Sequence, residues 1–180
     1  MTIDAELRDQ VRNRAGFACE FCEVTETDTG GELTIDHFHP QAKGGTDAFD
    51  NLLYCCTHCN QYKLDYWPVL PEDVPLWNPR TSPRTTQFLE LDDGTLHPLT
   101  QHSAFTIKRL RLNRPPLVAY RRRRRDQAET ERLLMRYREL LELQEQLQVQ
   151  VATLMDEQHS LMKEQQALLS LFLNRPEDRS

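Results

Sequence analysis

The sequence predicts an α+β protein: a small strand–loop–strand–helix module closed by cysteines, followed by a long C-terminal α-helix. Three observations predict it. Four of the five cysteines form two Cys-x-x-Cys pairs, Cys19/Cys22 and Cys56/Cys59, separated by 33 residues. Between the pairs, Leu33–His37 and Asn51–Tyr54 read as short strands flanking a loop with Pro40 and Gly44-Gly45. From Leu117 to Arg175 there is no glycine and no proline, and leucine recurs every seven residues.

A length of 180 residues suits one ordinary domain, or a small domain plus an extension. The net charge of -6 is unevenly spread. Residues 1–75 carry 5 basic and 14 acidic side chains (net -9), residues 76–126 carry 11 and 4 (net +7), and residues 127–180 carry 6 and 10 (net -4). Positive charge for a polyanionic partner is therefore concentrated in the middle of the chain. No run of about 20 apolar residues is present to span a membrane. The polar start MTIDAELRDQ lacks an apolar signal core, which predicts a cytoplasmic protein. In that reducing compartment, short-spaced cysteine pairs favour metal over disulfides.

Three segments follow. Residues 1–75 hold every cysteine and a dense group of His, Asp and Asn. Residues 76–116 are rich in Pro, Arg and Thr, with a strand-like Phe88–Leu91 before the turn Asp92-Asp93-Gly94. Thr100 is placed to cap a short helix carrying Phe105, Ile107, Leu110 and Leu112. Residues 117–175 read as one helix in which Leu133, Leu140, Leu147, Leu154, Leu161 and Leu168 repeat every seven residues. Tyr137, Val151 and Phe172 share the companion position with Gln144, Gln158 and Gln165, and Leu134, Leu141, Met155, Met162 and Leu169 widen the stripe. Such a stripe needs a partner, and a coiled coil with a second copy of the chain is the favoured one. The breadth of the stripe leaves an antiparallel pair, a bundle, or docking on a different protein open.

The cysteine pairs are the spacing of a structural zinc site: each x-x turn puts two thiolates on one side of a tetrahedral ion. A segment this small has little core of its own, so zinc would supply folding free energy on the order of 10 kcal/mol. Cys55, next to a ligand on a strand, is expected to point away from the metal as a small buried residue. His58 lies between the second pair and is expected to face solvent or phosphate.

The segment from Asp36 to Lys63 resembles the HNH endonuclease family in its zinc-bearing ββα-metal form. The matching residues are Asp36-His37, Pro40, Gly44-Gly45, Asn51-Leu52 and Cys56-x-x-Cys59-Asn60-x-x-Lys63. The resemblance covers about residues 8–66. It implies that His37 is the general base, that Asn51 orients His37, and that Asp36 and Asn60 hold one divalent ion. Asn60 stands where many relatives have histidine, an HNN variant. A pair of oxygen donors suits Mg²⁺ or Mn²⁺. A neutral imidazole is a suitable base near neutral pH. Lys63, one turn beyond Asn60, is expected to contact phosphate. His39, two residues from His37 and on the same strand face, is expected in a plain loop role, with phosphate or metal binding as the alternative.

Phosphate contacts are expected from Lys43, Lys63 and the run Arg121, Arg122, Arg123, Arg124 and Arg125. No recognition-helix code or aromatic stacking array offers sequence readout. The expected activity is metal-dependent hydrolysis of phosphodiester bonds in DNA, with RNA less favoured. Two rivals stand beside it. One is a zinc-stabilised nucleic-acid binder without cleavage. The other is a nuclease subunit directed by a partner docked on the long helix, as in bacterial defence or mobile-element assemblies.

Overall fold

The structure is a computed structural model that describes residues 3–173, with the side chains of 172 and 173 outside the description. The side chain of Phe172, expected in the leucine stripe, and Arg175, the expected helix end, therefore lie outside the described residues. The chain divides into two compact units between Asp126 and Gln127. No helix among the described residues is long and apolar enough to cross a membrane.

The first unit opens with α1 (Ala5–Arg14), whose Val11 is buried. Gly16 and Phe17, both at φ 60°, turn the chain into the Cys19–Cys22 knuckle. The short α2 (Glu26–Thr29) is started by Thr25 and Asp28, which cap each other's backbone reciprocally. Then come β1 (Thr34–His37), β2 (Leu52–Cys55) and α3 (Thr57–Lys63). The two strands pair antiparallel, Thr34 opposite Cys55 and His37 opposite Leu52. Each strand starts one residue later than the sequence expectation. The Leu33 amide donates to the Tyr54 hydroxyl at 2.8 Å instead of a ladder carbonyl, and the Asn51 amide closes a turn onto Ala48.

The loop between the strands depends on Gly45. A Cβ there would lie 1.8 Å from the His39 carbonyl oxygen, so only glycine permits this approach. The extension supplies β3 (Phe88–Glu90), β4 (Leu96–Pro98) and α4 (Gln101–Arg109), with Thr100 as the cap of α4. Trp77 joins extension to module: its ring meets Phe21 edge-on at 6.3 Å and Phe88 at 5.0 Å, and its amide donates to Thr106. The core runs through Val11, Phe21, Leu52, Leu53, Tyr54, Trp77, Leu110 and Leu112.

Helix α5 (Pro115–Leu173) starts two residues before the expected Leu117. Pro115 and Pro116 occupy its first turn, where a missing N–H costs nothing. Within the second unit, the leucines at 133, 140, 147, 154, 161 and 168 are all exposed.

Candidate functional site

The Cys19 knuckle and the start of α3 bring four sulfurs together. Cys19, Cys22, Cys56 and Cys59 are all buried, and their Sγ atoms lie within 4.8 Å of one another. A tetrahedron with metal–sulfur bonds of about 2.3 Å has edges of about 3.8 Å. Cys22 and Cys56 are 3.7 Å apart, the length of such an edge, and the cluster could hold a zinc ion on four cysteines. Burial opposes ionisation of Cys19, but the surrounding thiols hold its titration well below the ordinary thiol range. Cys59 is pushed up, chiefly by Cys19. A dication relieves that competition by letting all four ionise. Cys55 is buried outside this cluster, its Sγ 3.6 Å from the Cys56 carbonyl.

Strand alternation separates Asp36 from His37. Thr34 and Asp36 share the face of β1 that meets α3. Asn60 Nδ2 is 3.4 Å from Thr34 Oγ1, and Lys63 Nζ is 3.1 Å from the Asp36 carboxylate. Asp36 and Asn60 therefore lie along one strand–helix seam. Asp36 Oδ1 accepts from the His37 amide at 2.9 Å, while the buried Oδ2 has no well-directed hydrogen bond. Burial raises the Asp36 carboxyl, with Lys63 pulling the other way.

His37 turns to the opposite side, towards the loop. Its Nε2 is 2.7 Å from Asp47 Oδ1, and 16% of the side chain is exposed. Asp47 also accepts from Gln41 at 2.7 Å, and the His37 contact holds its carboxyl below the usual range. Sequence reasoning missed Asp47. The only available signal was a carboxylate two residues beyond Gly45, whose tight approach to His39 folds the loop back.

Three expected roles change. Asn51 does not touch the His37 ring. Its Oδ1 accepts from the His39 amide at 2.8 Å, and its Nδ2 donates to the carbonyls of His39 (3.0 Å) and Thr46 (2.7 Å). It pins the loop that carries Asp47 to the hairpin. Lys63 is fully buried, with its ammonium on Asp36 and on the His37 carbonyl at 2.6 Å, because α3 presents it inward over β1. It is not placed to meet phosphate. Arg121 is also fully buried, donating to the carbonyls of Gly94 (2.6 Å) and Leu112 (2.9 Å). Gly94 is required there, since a Cβ would sit 2.6 Å from the Val118 carbonyl.

The rest of the arginine run divides. Arg124 pairs with Glu23 (2.9 Å) and Glu90 (3.2 Å), and Arg125 with Asp92 (3.1 Å). Arg122, Arg123 and Lys43 are exposed. His58 is exposed and lines a cleft with Arg114 and Arg123. His39 stacks on Trp67 at 3.9 Å and reaches the Lys43 carbonyl, a loop role. The acidic stretch after Cys19 has a structural purpose: Glu26 takes a two-pronged bond from Arg12 (2.6 and 2.7 Å) and the Tyr54 hydroxyl.

A hairpin and a helix clasped by four thiols, with an aspartate and a histidine on successive residues of the first strand, define a ββα-metal module. Residues 19–68 match the model of the HNH endonuclease family. Neither the curated proteins nor the solved structures give a match to the chain.

Proposed function

We propose that the protein is a metal-dependent endonuclease that hydrolyses phosphodiester bonds in DNA, with His37 as the general base. The observation that carries the reading is the His37–Asp47 pair at 2.7 Å on a partly open face of the hairpin. With Nε2–H donating to Asp47, Nδ1 keeps its lone pair and accepts a proton from water as the water oxygen attacks phosphorus. Asp47 steadies the ring through this contact. Asn51 acts on this geometry through the loop.

Asp36 and Asn60 would hold a Mg²⁺ or Mn²⁺ ion; a carboxylate and a side-chain amide on one strand–helix seam supply oxygen donors suited to a hard cation. When bound, such an ion stabilises charge on the leaving oxygen and the phosphoryl group. Cys19, Cys22, Cys56 and Cys59 hold zinc, which ties α3 to the knuckle. The exposed leucines of the second unit support a homodimer through the C-terminal helix. The same stripe supports the second reading, a nuclease subunit whose target is set by a partner docked there.

The test is nicking of supercoiled plasmid with Mg²⁺ or Mn²⁺. His37→Ala is expected to lose about 10²–10⁴-fold in rate. Equal nicking by both proteins would remove His37 from the reaction.

A further inference from the structure

We propose that a second site, a cleft between the zinc knuckle and the Pro79–Arg84 segment, binds a phosphate group. The cleft encloses about 460 Å³ and is lined by Arg14, Arg80, Arg84 and Arg124, with Glu20 and Glu23 as its only carboxylates. Guanidinium groups outnumber carboxylates in the lining by four to two, with Cys19 of the thiol cluster also at its wall.

Each carboxylate is shared. Glu20 receives Arg80 directly and Arg14 at 3.8 Å, while Glu23 receives Arg84 at 3.3 Å and Arg124 at 2.9 Å. Glu90, outside the cleft, takes the other prong of Arg124 at 3.2 Å. Arg14 Nε, Arg80 Nε and Arg84 Nη2 are buried without a well-directed hydrogen bond among the described residues, as is Glu20 Oε1, which faces Arg14 Nε at 3.8 Å. Burial first, and then the neighbouring Arg80, lower the Arg14 titration, with Glu20 opposing them. Backbone bonds keep the cluster from dispersing: Arg14 donates to Phe49 at 2.7 Å and Arg84 to Phe21 at 3.2 Å.

The ligand class follows from the donor geometry. The guanidinium forks come from α1, the Arg80–Arg84 segment and α5, so they approach from several directions. A phosphate offers acceptors in three dimensions, whereas a carboxylate offers them in one plane. The cleft lies beyond the outer edge of β2. Glu20 bonds both the amide and the carbonyl of Tyr54, and Arg14 donates to the carbonyl of Leu52, the residue paired with His37. The phosphate therefore binds apart from the His37 face. The phosphate claim stands without the nuclease reading; only a nucleic-acid source for it rests on that reading.

The experiment titrates inorganic phosphate into the zinc-loaded full chain by calorimetry at constant ionic strength. It uses wild type, Arg84→Gln and Arg80→Lys. Arg84→Gln leaves Glu23 with Arg124, and Arg80→Lys keeps a cation on Glu20, so both variants retain the carboxylate pairing. One saturable site is expected in wild type, weakened about tenfold or more in each variant. In a parallel arm, a labelled DNA duplex is titrated over a range of salt without added divalent ion. A weaker duplex affinity in Arg84→Gln, with the salt slope reduced by about 1, identifies the source as a nucleic-acid backbone. Unchanged duplex binding with weakened phosphate binding identifies a free phosphate-bearing ligand. No saturable phosphate response in wild type, or equal responses in all three proteins, overturns the site. A failed His37→Ala assay leaves this result untouched.

Discussion

Replacing Lys63 with methionine removes one charge from the interior of the seam and leaves the Asp36 carboxylate behind. The pair is 3.1 Å apart, with the lysine side chain fully buried and the aspartate 13% exposed. At an effective dielectric constant of about 20, the lost attraction is about 5 kcal/mol. Asp36 has an escape, because it can take up a proton. An ordinary carboxyl titrates about three pH units below neutrality, so protonating it at pH 7 costs about 4 kcal/mol, which caps the loss. Part of this is recovered because no ammonium need be desolvated; part is added because the His37 carbonyl loses its donor at 2.6 Å. The expected destabilisation is therefore about 3–4 kcal/mol at pH 7, in line with breaking a buried pair. Its sign with pH is set by Asp36, whose folded-state carboxyl burial already raises. A raised carboxyl destabilises above the unfolded-state value and ceases to do so below it, so the penalty shrinks by about 1.4 kcal/mol per unit as pH falls below 7. Urea unfolding of zinc-loaded protein between pH 7 and 5 measures it, with Asp36→Asn and the double variant closing the cycle. A Lys63→Met protein within about 0.5 kcal/mol of wild type, or a loss that does not change with pH, refutes the reasoning.

Removal of the zinc ligands and of Cys55 should part company. Cys56→Ser is expected to abolish stoichiometric zinc and cooperative unfolding, whereas Cys55→Ala keeps the metal; zinc content by mass spectrometry decides between them. Asp47→Asn is expected to lower the nicking rate about 10–100-fold while leaving zinc content and the unfolding midpoint near wild type; an unchanged rate removes Asp47 from the site. Glu26, held down to about 2 by Arg12 and Tyr54, contributes stability that is complete above the ordinary glutamate range and lost as pH falls towards 2. Glu26→Gln should therefore flatten the acid limb of a stability–pH curve, and an unaltered limb contradicts the assignment. Truncation after Asp126 is expected to keep zinc and nicking but to abolish self-association by light scattering; a truncated chain that remains dimeric overturns dimerisation through the C-terminal helix.

What was legible in advance was whatever a local pattern encodes. The spacing of Cys19, Cys22, Cys56 and Cys59 pointed to a shared metal, and the alternation around Asp36-His37 to a strand with two chemically distinct faces. The unbroken stretch after Pro116 and the cap at Thr100 marked α5 and α4. Such features depend on backbone period and ligand geometry, which act within a few residues. Charged side chains behaved differently. Lys63 and Arg121 looked like surface cations, and both are buried, because long side chains are placed by acceptors that arrive from distant segments. Asn51 went to the loop backbone instead of the imidazole, and Asp47 took the ring.

The chain order alone thus determined the module, its four thiols, its hairpin and the leucine-striped helix. Tertiary packing alone decided which carboxylate meets which cation. Arg12 with Glu26, Arg80 with Glu20, and Lys63 with Asp36 bridge sequence separations that no short pattern spans. Electrostatic pairing depends on distance in space and on burial, and neither is readable until the loops have closed.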